Sequence, residues 1–412
     1  MPEGIGASVS RKEDKKHTTG KGRFTDDINR AGQLYAFFMR SNVAHATIKK
    51  IDVSKALTCD GVAAIYTGDD IAADGVGGPI CGWTPTNRDG SAPKEPPHPL
   101  LAHSKVRYVG DHIAVVIAES LEQARSAAEK ITVDLDVLPP VVDLSTAIGN
   151  TQIHDEMDDN VYFDWELGDE SATASALESA AKIVELTVTN NRVIPNAMEP
   201  RAAVSEYDET NESYTLYTTS QNPHLTRLVM AAFMMQIPES KLHVVAPDVG
   251  GGFGSKIYIY PEEAVCTWAT KKLRRPIKWT ADRSEAFLGD AHGRDHVNKV
   301  KIGLDQDNKI VGLRVDTLAN LGAYLSAFSM VTPTYLHGTL LSGCYNIPAI
   351  YTNVKGVCTT TVNVDAYRGA GRPEATYLLE RTMDYAARQV GMDPAEFRRI
   401  NFIPKDAFPY QT

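Results

Sequence analysis

An α+β chain of two or three domains is what this sequence predicts, and three observations carry the prediction. Its 412 residues are enough for each of several domains to bury a core of its own. Its composition, 43% hydrophobic and 23% charged, is that of an ordinary globular protein and excludes disorder or repeats as the main theme. Short strand-like runs, some joined as hairpins across polar turns, are interleaved with runs that start at a proline or a capping residue and read as helices.

The elements follow in order. Leu34–Met39, His45–Asp52 and Val62–Tyr66 read as strands, and a loop rich in Gly and Pro runs on from Gly68 to Pro99. Val106–Val109 and His112–Ile117 are further strands, Leu121–Lys130 is a helix rich in Ala and Glu, and Pro139-Pro140 ends the strand Ile131–Val137. These make a first mixed domain over residues 1–142. Residues 143–171 read as a linker. The stretch His154-Asp-Glu-Met-Asp-Asp159 inside it reads as a solvated acidic loop rather than a metal site, because nothing pins its side chains in one geometry.

The second domain, residues 172–412, opens with a helix over Ala172–Ile183 and a strand over Val184–Val188. Two hairpins with polar turns follow, Arg201–Tyr207 with Tyr214–Thr218 and Val297–Leu304 with Ile310–Asp316. Asn222-Pro223 has the chemistry of an N-cap and first helical residue for a helix to Met235. Pro261 starts another helix, with Glu262 and Glu263 matching its positive end. Helices over Pro373–Val390 and Pro394–Asn401 close the chain.

Charge and cysteine usage narrow the function. A net charge of −10 argues against a nucleic-acid surface, which works by neutralising phosphates with Lys and Arg. Cys59, Cys81, Cys266, Cys344 and Cys358 include no Cys-x-x-Cys pair, so this chain is expected to carry no zinc or iron–sulfur site of its own. Their odd number gives no disulfide framework and fits a reducing compartment. The N-terminus lacks the apolar core of a signal peptide and the longest apolar run, Leu228–Met235, is too short for a bilayer, so the expectation is a cytoplasmic protein without a membrane span.

The second domain is organised around Asp248-Val-Gly-Gly-Gly-Phe-Gly-Ser-Lys256. Such a backbone can take positive φ, can be approached closely, and can aim N–H groups at the oxygens of a ligand; a tight turn before a helix is the plainer alternative. Lys256 follows Ser255 instead of preceding it, which is wrong for a P-loop, and Ser255 stands where a dinucleotide fingerprint needs its third glycine. Four other segments stand out. Met198-Glu-Pro-Arg201 is either a strand-edge ion pair or part of a site. Gln221, beside the capping Asn222, is either a solvated turn residue or an amide that donates to an oxygen in a cleft. His292 and His296 are four apart, but Gly293 breaks the helix that would align them on a metal, so they read as strand-entry residues. Ala366-Tyr-Arg-Gly-Ala-Gly-Arg-Pro373 is a second glycine-rich loop running into a helix, with arginines suited to an anionic or oxo-bearing ligand.

In this order, Ser220-Gln-Asn-Pro223, Asp248–Lys256 and Ala366–Ala375 resemble the motifs of the molybdenum-binding large subunits of the xanthine oxidase and aldehyde oxidase family, in the style of bacterial carbon monoxide dehydrogenase large chains. Ile5–Val9 and Gly20–Asp27 resemble the start of those chains, and the resemblance runs from about residue 5 to the C-terminus. It implies an α/β hammerhead domain followed by the first half of a molybdopterin-binding domain. The implied cofactor is molybdenum held by molybdopterin cytosine dinucleotide, and the implied reaction is hydroxylation of an aldehyde or N-heterocycle with oxygen from water. Electrons would leave to [2Fe-2S] clusters and FAD on partner subunits.

Carried onto this chain, the resemblance gives Gln221 and Arg368 catalytic roles beside the cofactor, Gly251, Gly252, Phe253 and Gly254 as the cofactor-binding loop, and Tyr367, Gly369 and Ala370 as the substrate pocket. Chains of the family are nearly twice this long, and their second half carries the general base, so either a second polypeptide carries that half or this chain is a truncated product; a non-catalytic fragment or structural subunit is the alternative function. Three positions bear on substrate. Gly369 stands where carbon monoxide oxidising members have a copper-binding cysteine, Ala370 where purine oxidising members have a stacking phenylalanine, and Ile257 where those members anchor purine with a glutamate.

Overall fold

The computed structural model describes residues 4–410. The strands in chain order are β1 (Leu34–Arg40), β2 (Ala46–Asp52), β3 (Val62–Thr67), β4 (Lys105–Val106), β5 (His112–Ala118), β6 (Thr132–Val137), β7 (Val161–Gly168), β8 (Lys182–Asn190), β9 (Ala202–Asp208), β10 (Ser213–Thr218), β11 (Leu242–Val245), β12 (Ile277–Thr280), β13 (His296–Leu304), β14 (Ile310–Gly322) and β15 (Ile350–Cys358). Among the described residues they form three sheets, and with the interspersed helices they give the expected α+β fold.

The largest sheet has the order β11-β10-β9-β12-β1-β5-β3, so strands from both halves of the chain share one ladder. The seam is β1 with β12, parallel, with Leu34 opposite Ile277. Every residue of β5 is buried, which explains its unbroken apolar run His112-Ile-Ala-Val-Val-Ile-Ala118. Phe38, Ile117, Leu216, Trp268 and Trp279 belong to one core between this sheet and the helix Pro261–Leu273. The second sheet, β7-β15-β14-β13-β8, packs Val300, Ile302 and Leu313 against Leu378, Leu379 and Met383 of the helix Arg372–Gln389. A small sheet, β4-β2-β6, completes the N-terminal part with the helix Leu121–Ala128.

A buried charge network crosses the seam. Arg201 donates both Nη groups to Glu262, each at 3.0 Å, and its Nε to Asp290 at 2.6 Å. Arg40 of β1 reaches the same Glu262 at 2.6 Å, and His112 Nε2 of β5 lies 3.0 Å from it. Burial pushes the Glu262 carboxyl up, but Arg201, His112 and Arg40 together outweigh it and hold the group well below its usual range. The expected pairing of Glu262 with the helix dipole is therefore incomplete: Glu263 closes the capping box by accepting the Tyr260 N–H at 3.0 Å, while Glu262 neutralises guanidinium groups from two other elements.

The structure departs from the sequence expectation in several places. The stretch 143–171 is not plain linker: it holds the short helix Leu144–Ala147 and β7, an edge strand whose Tyr162, Phe163 and Trp165 are buried. His154 is not solvated. It is buried with Nε2 2.6 Å from the Ala323 carbonyl, and burial pushes its imidazole down to about 3, while Asp155 and Glu156 beside it face solvent. The helix at Ala172–Ile183 runs instead over Glu170–Glu178. The helix from Pro223 is regular only to Val229 and continues as a π turn over Met230–Met234. Glu199 and Arg201 do not pair with each other, because Arg201 turns into the network above and Glu199 turns to Lys256.

Candidate functional site

The glycine loop is held from below by side chains. Its first residue, Asp248, bridges to Phe24, accepts the Arg23 N–H at 2.7 Å and pairs with Lys16. Glu199 accepts the Gly250 N–H at 2.7 Å and the buried Lys256 ammonium at 2.9 Å, and Lys256 also donates to the Glu199 carbonyl at 2.8 Å. Burial pushes the Lys256 ammonium down and the contact with Glu199 opposes that shift.

Gln221 fastens the loop from the side. Its N–H donates to the Lys256 carbonyl at 2.7 Å, and its Oε1 accepts the Gly254 N–H at 2.9 Å and, weakly, the Lys256 N–H at 3.4 Å. With the oxygen so occupied, the amide nitrogen is the end left free to donate. Gln221 is exposed, as the solvated-turn alternative expects, but its amide oxygen also has a structural task, and the residue lines the cleft. A Cβ at Gly252 would sit 2.2 Å from Gln221 Oε1 and push that side chain off the loop, and Gly254 has to be glycine because its φ is +112° and a Cβ would meet the Ala366 carbonyl at 2.1 Å. Phe253 takes φ +54°, an uncommon conformation for a bulky residue, and leaves its ring partly exposed. The N–H groups of Gly251, Gly252 and Phe253 have no partner among the described residues.

The arginine loop is tied to the glycine loop by one backbone bond, Arg368 N–H to the Phe253 carbonyl at 2.8 Å. Tyr258 Oη donates to the Ala366 carbonyl at 2.7 Å. Asp365 is buried and accepts from Ser326 Oγ and from the Phe328 N–H at 2.9 Å; burial pushes its carboxyl up to about 6 against these hydrogen bonds. Arg368 itself is exposed.

Between the loops lies a cavity of about 400 Å³ lined by Gln221, Phe253, Gly254, Ile257 and residues 366–370. Gln221, Phe253, Gly254, Tyr367, Arg368, Gly369 and Ala370 thus share one cleft, while Gly251 and Gly252 belong to the same loop but do not line it. His292 and His296 are not brought together: His292 forms a bridge with Val364, and His296, the first residue of β13, faces His337 with ring centroids 5.4 Å apart. Sequence reasoning missed the Glu199–Lys256 support; Met198-Glu-Pro stood out there, but nothing in it named Lys256 as the partner. The lining fits an anionic, oxygen-bearing cofactor: the Gln221 amide, the Arg368 guanidinium and Phe253, whose N–H is unpartnered among the described residues, with no carboxylate among the lining residues.

Fold and site define a cofactor-binding class. The family of molybdopterin cofactor-binding domains matches residues 153–402, and the a/b hammerhead domain of aldehyde oxidase and xanthine dehydrogenase matches residues 19–139. The carbon monoxide dehydrogenase large chain of Hydrogenophaga pseudoflava is 36% identical over 99% of this chain and 51% of its own length. The nicotine 6-hydroxylase large subunit of Paenarthrobacter nicotinovorans is 32% identical over 98% of this chain and 49% of its own. The crystal structure of quinoline 2-oxidoreductase from Pseudomonas putida 86 superposes with a TM-score of 0.91 at 33% identity, covering 99% of this chain and 51% of that one. The chain belongs to the xanthine oxidase and aldehyde oxidase family of molybdenum-binding large subunits. It spans about half the length of these relatives, whereas the nicotinate dehydrogenase large molybdopterin subunit of Eubacterium barkeri, 30% identical, is matched over 89% of its length. Among the described residues no helix is long and apolar enough to cross a membrane.

Proposed function

We propose that this chain is the N-terminal part, or a separately encoded half, of the large subunit of a molybdenum hydroxylase that oxidises an aldehyde or an N-heterocycle. The observation that carries the reading is the cleft in which the Gln221 amide, Phe253 and Gly254 of the glycine loop and the arginine loop converge. The cofactor, taken as the cytosine dinucleotide form of molybdopterin, supplies when bound the oxidation of a carbon with oxygen from water. Gly251, Gly252 and Phe253 offer it backbone donors, and the Gln221 amide nitrogen donates to an oxygen on it. Phe253 shields one side, and Arg368 presents positive charge at the mouth of the cleft. The general base and the rest of the cofactor contacts belong to the other half of the large subunit, and [2Fe-2S] clusters and FAD to partner chains in the cytoplasm.

The lining favours a flat or weakly polar substrate. At position 369 a cysteine would need φ near +104° and would bring its Cβ within 2.5 Å of Pro373 Cγ, so the backbone is shaped for glycine and offers no thiolate for Cu(I). Ile257 and Ala370 add apolar surface where a purine would need a carboxylate and a ring. The test is to purify the chain with its co-expressed partners, measure molybdenum, and reduce the complex anaerobically with carbon monoxide, xanthine, an aldehyde and an N-heterocycle in turn. Fast bleaching by one of the last two is expected. Fast bleaching by carbon monoxide overturns the argument from Gly369, fast bleaching by xanthine that from Ala370 and Ile257, and a complex without molybdenum leaves a structural subunit instead.

A further inference from the structure

The segment His292-Gly-Arg-Asp-His296 is laid along the start of the arginine loop. The His292 N–H donates to the Asn363 carbonyl at 3.0 Å, and the Asp365 N–H donates back to the His292 carbonyl at 2.9 Å. Gly293 lies directly under Tyr367, where a Cβ would come within 2.4 Å of the Tyr367 Cβ. The next two residues, Arg294 and Asp295, both sit in the left-handed region at φ +69° and +67°. Consecutive non-glycine residues in that region persist only where the surroundings enforce them. Asp295 is enforced from outside: its carboxylate accepts from Arg192 Nε at 2.7 Å and Asn320 Nδ2 at 3.0 Å, and its carbonyl accepts the Asn320 N–H at 3.0 Å.

What this backbone delivers is the guanidinium of Arg294. Its Nη1 donates to the Tyr367 carbonyl at 3.0 Å and to Glu374 Oε1 at 3.1 Å, its Nη2 donates to the Arg368 carbonyl at 2.9 Å, and its Cζ lies 4.8 Å from the centre of the Tyr367 ring. Arg294 and Glu374 are both buried. Immediately beyond the two gripped carbonyls the chain turns through three successive positive φ values, Gly369 at +104°, Ala370 at +43° and Gly371 at +85°. The loop is closed by its own Ala370 N–H to Tyr367 carbonyl bond at 2.7 Å and tied to Phe253 through the Arg368 N–H at 2.8 Å, and the fork, on the same Tyr367 carbonyl and on that of Arg368, fixes the direction in which the chain leaves Arg368.

We propose that Arg294 is the positioning residue of the arginine loop: it sets where the Arg368 side chain and the Gly369-Ala370 backbone stand in the cleft without touching substrate or cofactor. This rests on the reading above that the loop lines the substrate side. The contacts are spread over two nitrogens of a rigid plane, Nη1 on the Tyr367 carbonyl and Glu374 and Nη2 on the Arg368 carbonyl, and a lysine, whose donors all sit on one shorter-reaching nitrogen, does not reproduce that geometry.

The test uses the assembled complex and two variants, Arg294→Lys, which keeps the charge beside Glu374, and Arg294→Met combined with Glu374→Gln, which strands no buried charge and guards against failure to fold. Hydrogen exchange is followed by mass spectrometry on peptides covering 364–372 and, as control, β13 and β14. Both variants are expected to exchange about tenfold faster at the Arg368 and Ala370 amides, with the controls unchanged. kcat falls about 10- to 100-fold with KM nearly constant, as for a displaced reacting group. Unchanged loop exchange, or a rise spread equally over β13 and β14, overturns the proposal whatever turnover does. Faster exchange confined to the loop with unaltered turnover leaves the clamp standing and refutes the reading that this loop lines the substrate side.

Discussion

Gln221 has two ends with two tasks, and substitutions can separate them. Gln221→Ala removes an acceptor bonded to the Gly254 N–H at 2.9 Å and, marginally, to the Lys256 N–H at 3.4 Å. The side chain is exposed, so water can take its place at both donors, and the folding cost is that of one net hydrogen bond, about 0.5–1.5 kcal/mol. The functional cost is larger, because a preorganised donor is lost where charge develops: about 10- to 1000-fold in turnover, or about 1.4–4 kcal/mol. Gln221→Glu keeps an acceptor for both N–H groups and removes the donor. It should therefore match the parent in thermal stability at neutral pH and match Gln221→Ala in lost turnover. The assay is calorimetry, molybdenum content and steady-state kinetics on the assembled complex for all three proteins. Unchanged turnover of Gln221→Ala at full molybdenum occupancy, or recovery of turnover in Gln221→Glu, would refute the donor role; a stability loss in Gln221→Glu equal to that of Gln221→Ala would refute the fastening one.

Two further predictions concern the buried charges. Arg201→Met leaves Glu262 short of its bidentate partner and should destabilise the chain by about 3–5 kcal/mol, seen as a lower urea midpoint, whereas a change below about 1 kcal/mol would mean that Arg40 and His112 suffice. Asp365, pushed by burial up to about 6 from 3.8, binds its proton more tightly folded than unfolded. Its contribution to stability is thus fully present below pH 3.8 and is lost as pH rises through about 6, amounting to about 3 kcal/mol over that window. Asp365→Asn, neutral throughout, should flatten the fall in Tm between pH 4.5 and pH 7, and an identical slope in both proteins would show that Asp365 is ionised in the fold.

Local signals were legible in the sequence wherever one element carries its own pattern. The helix Pro394–Asn401 is read to the residue, β5 and β13 differ from expectation by one residue each, and β14 starts where expected but runs on past Asp316 to Gly322. The strand β7 was hidden because Val161-Tyr-Phe-Asp-Trp-Glu-Leu-Gly168 follows an acidic stretch whose polarity dominated the reading. β11 and β12, four residues each, are too short to show a period and gain their place only from neighbours in the sheet. The cleft was legible as three motifs because each is unusual in itself. What holds them was not: Glu199 with Lys256, and Arg294 with the carbonyls of Tyr367 and Arg368, are partners 57 and 73–74 residues apart whose pairing depends on the fold.

The seam between β1 and β12 also has a meaning in time. Leu34 leaves the ribosome about 240 residues before Ile277, the residue it will stand beside. The partial sheet with β5 and β3 is complete only once Ala118 is made, and at a synthesis rate of about 5–20 residues per second the about 160 residues from there to Ile277 leave β1 as its open edge for about 8 to 32 s. During that interval its unpaired backbone groups and the apolar side chains of Leu34 and Phe38 are available to any other strand in the cell, so the hammerhead half is the part of this chain most in need of a chaperone while the second half is still being made.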